Sequence, residues 1–487
     1  MRRVMVAGAA AVAVVAAGGY VTADVFDLVP GVLTRDRPVT ATAPTDADGT
    51  RVPSLLPAPS ATDDLLTATG SDAPVPTAAG LQRAVRAASG DPALRGGLGL
   101  SIRDGLTGTE LWSVAATTPR VPASTAKLLA ALAVAETLDL HARIPTTLVA
   151  APGSRDLVLV VRGDMLLAPG RGDADAVAGR AGLADLATAA ARTLTADGRT
   201  RVTLRLDESF APGPRVPPTW NPHDVRDGFA GPVVMTGLTT TRATPVRPSP
   251  SRPEDAVAAR LVALLRARGV TASLRPPSTW AAPAPTDAVE LGRVESATYG
   301  ELLSLALEES DNSLAESLVR QAAATAGRPT RGGGDNAAFV RSRLVAAGVP
   351  VAGLVLKDAS GLSPGQAVAP ATLSAVLGLA VRAEPERMRE VVAALPVSGL
   401  SGTLRERFGA AATRDVLGVP RAKTGTLKEG SSLAGTTVDA DGRPLTFVVQ
   451  VDRFPRTDAG TLRARAALDR IVAALTRCGC GGTTPSS

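Results

Sequence analysis

Short alternating strand candidates, grouped near the two ends of one folded body, constrain the architecture of this 487-residue chain more than any other feature. Residues 97–103 alternate, with Leu98, Leu100 and Ile102 on one side. Asp104-Gly105 marks a turn and Glu110 to Val114 returns, which reads as a hairpin. Far along the chain, Arg421 to Leu427, Ser432 to Val438 and Leu445 to Val451 follow in close order, the last two joined through Asp441-Gly442. Helices are expected at Thr77 to Ser89, with Thr77 as N-cap, at Ser124 to Leu138, and at Asp458 to Leu475, where Leu468, Ile471, Val472 and Leu475 share a face. Five short strands split in this way predict an α+β fold, a five-stranded antiparallel sheet flanked by helices. The intervening residues have strand and helix signals of their own: Leu157 to Arg162, Leu183 to Leu194, Arg201 to Leu206 and Pro253 to Arg268. They read as an inserted smaller domain. The expected division is 77–142 and 291–480 for the sheet-bearing domain, 143–290 for the insert and 481–487 for a disordered tail.

The N-terminal part is of another kind. Arg2 and Arg3 precede an apolar stretch from Val4 to about Ala23, which suits an export signal or a single membrane anchor within residues 1–28. Residues 29–76 are rich in Pro, Thr, Ala and Asp and read as a linker. An exported or membrane-anchored protein at the outer face of the cytoplasmic membrane or in the cell wall is the expectation. A net charge of +6, scattered and without interleaved aromatics, gives no footprint for nucleic acid. Cys478 and Cys480 stand one residue apart, where a small disulfide can form outside the cell.

Three short motifs carry the chemistry: Ser124-Thr125-Ala126-Lys127, Ser310-Asp311-Asn312 and Lys423-Thr424-Gly425. Ser124 falls where a helix begins, and Lys127 lies one turn on, on the same face. A serine hydroxyl is a poor nucleophile until a base takes its proton. Lysine serves as that base only when burial or a neighbouring positive charge lowers its pKa, and Lys423 is a candidate for that charge. Of 52 basic residues 48 are Arg, which cannot act as a base; two of the four lysines fall in these motifs. Any one motif alone is weak, since Ser-x-x-Lys is common on helix surfaces and Ser-Asp-Asn is a frequent cap or turn. Their joint occurrence in this order is what points to function. A Ser-His-Asp triad or a zinc site finds little support in His141, His223 and two remote cysteines. No metal or cofactor is expected. Gly332-Gly333-Gly334 lacks the ending of a phosphate loop, and Asp164 is read as shaping a turn.

With these motifs, and with Asp358-Ala359-Ser360-Gly361-Leu362-Ser363 and Leu395-Pro396-Val397-Ser398-Gly399 running into Gly402-Thr403-Leu404, the chain resembles the class C low-molecular-mass penicillin-binding proteins, the D-alanyl-D-alanine carboxypeptidase/endopeptidase family. The resemblance implies a penicillin-binding/β-lactamase-like fold with an insert between the first and second motifs. It implies peptidoglycan stem peptides as substrates and β-lactam antibiotics as acylating inhibitors. By it, Ser124 attacks the peptide carbonyl between two D-alanines and Lys127 accepts the hydroxyl proton. Ser310 relays a proton to the leaving amine, and Asn312 binds the substrate amide. Lys423, with Thr424 and Thr426 flanking Gly425, holds the terminal carboxylate. The N–H groups of Ser124 and Thr426 form the oxyanion hole. A β-lactamase is the competing enzyme reading, but the Glu and Asn pair of class A enzymes is absent, because no Asn follows Asn336. A catalytically silent wall-binding module is the other alternative, and intact Ser124, Lys127 and Lys423 argue against it.

Overall fold

In the computed structural model, which describes residues 72–380 and 387–481, the strands from the two ends of the body meet in one sheet. The expected signal or anchor and nearly all of the expected linker lie outside the described residues, as does the tail beyond residue 481. Among the described residues no helix is long and apolar enough to cross a membrane.

The body opens with α1 (Ala78–Ser89), whose N-cap Thr77 accepts a hydrogen bond from Gly80 N, and continues into β1 (Leu98–Asp104) and β2 (Glu110–Val114). A short 3-10 turn, Ala123–Ala126, leads into α2 (Lys127–Ala135), so Ser124 sits on the turn and not in the helix proper. The chain goes on with β3 (Arg143–Ala150), β4 (Asp156–Val160), β5 (Asp164–Leu167), α3 (Leu183–Ala196) and β6 (Arg201–Asp207). It goes on through α4 (Pro222–Arg226), β7 (Thr236–Leu238), α5 (Pro253–Arg266), β8 (Thr271–Leu274) and β9 (Val289–Thr298). Five helices come next: α6 (Tyr299–Glu308), α7 (Asn312–Thr325), α8 (Asp335–Ala346), α9 (Pro370–Leu379) and α10 (Arg387–Ala393). The chain then returns through β10 (Arg421–Leu427), β11 (Gly430–Val438), β12 (Pro444–Asp452) and α11 (Asp458–Thr476).

The first sheet has the order β10-β11-β12-β1-β2 and is antiparallel throughout. Leu98, Leu100 and Ile102 pair with Val451, Val449 and Phe447. Alternation divides these strands between two interiors. Leu100, Ile102, Phe447 and Val449 pack with α1 and α11, while Ala434 and Val448 on the opposite face join the core built around α2 and α9. Helices cover both faces, so β12 is buried almost end to end. Helix α2 is apolar all round and fully buried, as such a sequence requires.

The second sheet, β8-β6-β4-β3-β9, is mixed. Strands β4, β6 and β8 run parallel, with α3 and α5 in the crossovers, and β3 is antiparallel to β4 and β9. It has its own apolar core around Leu159, Leu204 and Leu261. At the C-terminal end, Cys478 and Cys480 are joined in a disulfide.

Candidate active site

The turn that carries Ser124 is pinned to the first sheet by polar contacts. The Pro122 carbonyl accepts hydrogen bonds from Thr125 Oγ1 and from Ser432 Oγ of β11, both at 2.6 Å. Gly425 of β10 completes the fit. A Cβ there would lie 2.3 Å from Ser432 Oγ and 2.5 Å from the Pro122 carbonyl oxygen, so only glycine lets strand and turn approach this closely. Ala123, just before Ser124, has φ 45°, a conformation that costs a non-glycine residue about 1–2 kcal/mol. Ser124 itself remains partly open to solvent.

Lys127 is buried with its amine inside the site, 1 % exposed. Its Nζ has three neighbours: Ser124 Oγ at 3.1 Å, Asn312 Oδ1 at 2.6 Å and the Ser360 carbonyl at 2.8 Å. In the ammonium form all three hydrogens are used. In the neutral amine, Asn312 and Ser360 take the two remaining hydrogens and the lone pair is left aimed at Ser124 Oγ. The geometry therefore suits a base for that hydroxyl.

Burial pulls the Lys127 pKa down to about 8, against the upward pull of Asp358, Asp311 and Glu316. Desolvation is the largest cause, and the three carboxylates oppose it. Lys423 is itself buried on β10, where its Nζ donates to the Thr424 carbonyl at 2.9 Å.

Helices α6 and α7 are separated by three residues, and Ser310 makes the reversal with φ 57°. Asp311 caps α7 by accepting from Leu314 N at 2.9 Å, and Arg242 of the insert pairs with it and with Glu309. Asn312, the first residue of α7, is then delivered to Lys127, with its Nδ2 donating to the Phe229 carbonyl at 2.8 Å. Ser310 lines a neighbouring cleft of about 410 Å³, together with Asp311 and Thr403. Thr403 Oγ1 accepts from Thr424 Oγ1 at 2.9 Å, which links that cleft to the third motif.

Thr426 Oγ1 is buried and has no hydrogen-bond partner among the described residues. Ala422 N donates to the Pro396 carbonyl, on the side of β10 away from β11. Alternation puts the N–H groups of Thr424 and Thr426 on that same free edge. Ser124 lies in the first turn of a helical segment, whose N–H groups lack intrahelical acceptors.

Sequence reasoning missed several parts. Glu316, one turn along α7 from Asn312, is fully buried and accepts from Ala359 N, Ser360 N and Asn336 Nδ2. Asp358 accepts from Gly361 N, Ser363 N, Trp220 Nε1 and Gln366 Nε2. A carboxylate on the buried face of a helix was a readable signal for Glu316. The carbonyls of Phe229 and Ser360 had none, because every residue carries one. His141 and His223 are exposed and stand outside this constellation.

The D-Ala-D-Ala carboxypeptidase 3 (S13) family model matches residues 81–255 and 252–475. A carboxypeptidase of Mycobacterium tuberculosis is 35% identical over 436 residues, covering 89% of this chain and 91% of that protein. The carboxypeptidase DacB of Mycolicibacterium smegmatis is 34% identical, covering 87% and 90%. In fold, the chain is similar to penicillin binding protein 4 of Haemophilus influenzae, with TM-score 0.64 at 18% identity over 81% of this chain and 99% of that one. The chain belongs to the D-Ala-D-Ala carboxypeptidase 3 (S13) family and is a serine-type carboxypeptidase.

Proposed function

We propose that the protein is a D,D-peptidase of the cell envelope that cleaves D-Ala-D-Ala in peptidoglycan stem peptides through an acyl-enzyme on Ser124. The observation that carries this reading is the set of three Lys127 contacts, which aims a buried amine of lowered pKa at a partly exposed serine. Lys127 takes the hydroxyl proton as Ser124 Oγ bonds to the substrate carbonyl carbon. The C–N bond then breaks, and a proton passes by way of Ser310 to the leaving amine. Water attacks the resulting ester, gives its proton to Lys127, and restores Ser124 as the carboxylate departs. The N–H groups of Ser124 and Thr426 face the oxyanion, a contribution of about 3–4 kcal/mol per donor in comparable enzymes. Lys423, Thr424 and Thr426 hold the terminal carboxylate, Gly425 keeps that strand close to the serine, and Asn312 meets the substrate amide. The orphaned Thr426 hydroxyl supports that placement.

β-Lactams acylate the same serine. A solved relative similar in fold, penicillin binding protein 4 of Haemophilus influenzae, is complexed with a β-lactam, at TM-score 0.57 and 20% identity over 81% of this chain and 99% of that one.

Fluorescent penicillin tests the reading. Wild type becomes labelled and Ser124→Ala does not, whereas an unlabelled wild type overturns it. Rapid turnover of the penicillin would instead mark a β-lactamase. Masses of the products from purified wall fragments separate loss of terminal D-Ala from opened crosslinks.

A further inference from the structure

The amine of Lys127 is aimed by two carbonyl oxygens, and helix α7 controls both. Asn312 supplies the first directly. The second, on Ser360, belongs to a loop with no regular structure of its own, and a loop carbonyl needs something to hold it. Glu316, four residues after Asn312 and on the same face of α7, does so: its Oε1 accepts from Ala359 N at 2.7 Å and from Ser360 N at 2.9 Å. Its Oε2 is held in turn by Asn336 Nδ2 at 2.7 Å. The loop has little freedom to settle elsewhere. Gly361 has φ 85°, and a Cβ there would lie 1.9 Å from the Ala123 carbonyl oxygen, directly beneath the nucleophile turn. Asp358 fastens the far side of the same loop.

We propose that Glu316 is a positioning residue for the peptidase reaction, clamping the Ala359–Ser360 backbone so that the Ser360 carbonyl orients the Lys127 amine, and acting on that amine through its charge. The proposal rests on the roles given above to Ser124 and Lys127.

Burial alone does not account for a carboxyl group here. An apolar side chain could fill the space, but it would leave the N–H groups of Ala359 and Ser360 unpaired and the carbonyl free to turn. Burial, reinforced by Asp358, pushes the Glu316 pKa up to about 7, and its three N–H donors resist the rise. The charged groups facing it are Lys127 from α2, Asp358 from the loop and Arg320 from its own helix. When Glu316 is ionised it raises the Lys127 pKa, and when neutral it releases that hold.

The test is the second-order rate of penicillin acylation across pH for wild type, Glu316→Gln and Glu316→Leu, with folding checked by circular dichroism. In Glu316→Gln an acceptor oxygen remains and the charge is gone. Its acid limb is expected to move to lower pH, because Lys127 then loses its proton more readily. In Glu316→Leu the clamp is lost and the rate is expected to fall at least about tenfold at every pH. Should Glu316→Leu fail to fold, the near-isosteric Gln variant still decides. A Gln profile superimposable on that of wild type overturns the charge role of Glu316, and a folded Leu variant that acylates at the wild-type rate overturns the clamp; either result leaves the peptidase reading intact. Failure of wild type to acylate at all overturns that underlying reading.

Discussion

The two five-stranded sheets have apolar interiors alike in kind, but they bury polar groups to different ends. Around the first sheet, Lys127, Asn312, Glu316, Asp358 and Ser360 are all buried, and each reaches a partner on another element. In the 143–298 region, buried polar groups tie that region's own segments to one another. Asp164 accepts from Leu166 N, Asp207 accepts from Ser209 N and Ala284 N, and Glu254 pairs with Arg215 and Arg252. Burial of a charge is therefore no mark of function by itself. Convergence of residues distant in sequence on one reactive amine is. The 219–242 stretch brings Trp220, the Phe229 carbonyl and Arg242 against Asp358, Asn312 and Asp311.

The largest effect that would break this contrast is at Lys127. Lys127→Arg keeps a positive charge but supplies no base, so penicillin acylation should fall about a hundred- to ten-thousandfold with the fold retained. Acylation near the wild-type rate would remove the basis for treating the first sheet as the chemical one. Next, Leu204→Ala empties a fully buried position on β6 and should cost about 2–5 kcal/mol in unfolding experiments. The acylation rate of the molecules that remain folded should stay close to that of wild type. A matching loss of rate would show the insert core to be coupled to the amine.

Gly425→Ala should cost about 1–3 kcal/mol through overpacking against Pro122 and Ser432 and should also slow acylation. An unchanged rate would mean that the close approach of β10 to the turn is not needed.

The effect with the least expected bearing on acylation is one of pH. Burial pushes the Asp164 pKa from 3.8 up to about 7. Between those values the folded chain holds a proton that the unfolded chain has released, so this residue makes stability fall as pH rises through the window. Asp164→Asn should flatten that slope in chemical denaturation without altering the pH profile of acylation. Lys127 acts in a different window. Its pKa is lowered from 10.5 to about 8, so the unfolded chain binds more protons between those values and stability rises with pH there.

Much of this molecule was legible in its residues. Strand alternation at Leu98, Leu100 and Ile102, the turn at Asp441-Gly442 and the Thr77 cap are local signals, and the corresponding elements formed close to where they were expected. The α+β class and the meeting of the chain ends in one antiparallel sheet followed from them. The three motifs could be found because they depend on side-chain chemistry at short spacing. Local signals nevertheless blurred the start of the second helix, where Ser124 sits on a 3-10 turn, since helix propensity does not register the strain carried by Ala123.

Sequence by itself determined the three motifs, the proposed nucleophile and lysine among them, and the sheet that carries the third, because short-range periodicity and residue chemistry are written in consecutive positions. Only the tertiary structure decided what tunes that lysine. Its pKa is set by desolvation, and its amine is aimed by carbonyls at Asn312 and Ser360. Depth of burial and the direction of a backbone carbonyl are properties of the packed whole. They arise when helix α7 and the 358–366 loop close over the turn, and no stretch of residues specifies them alone.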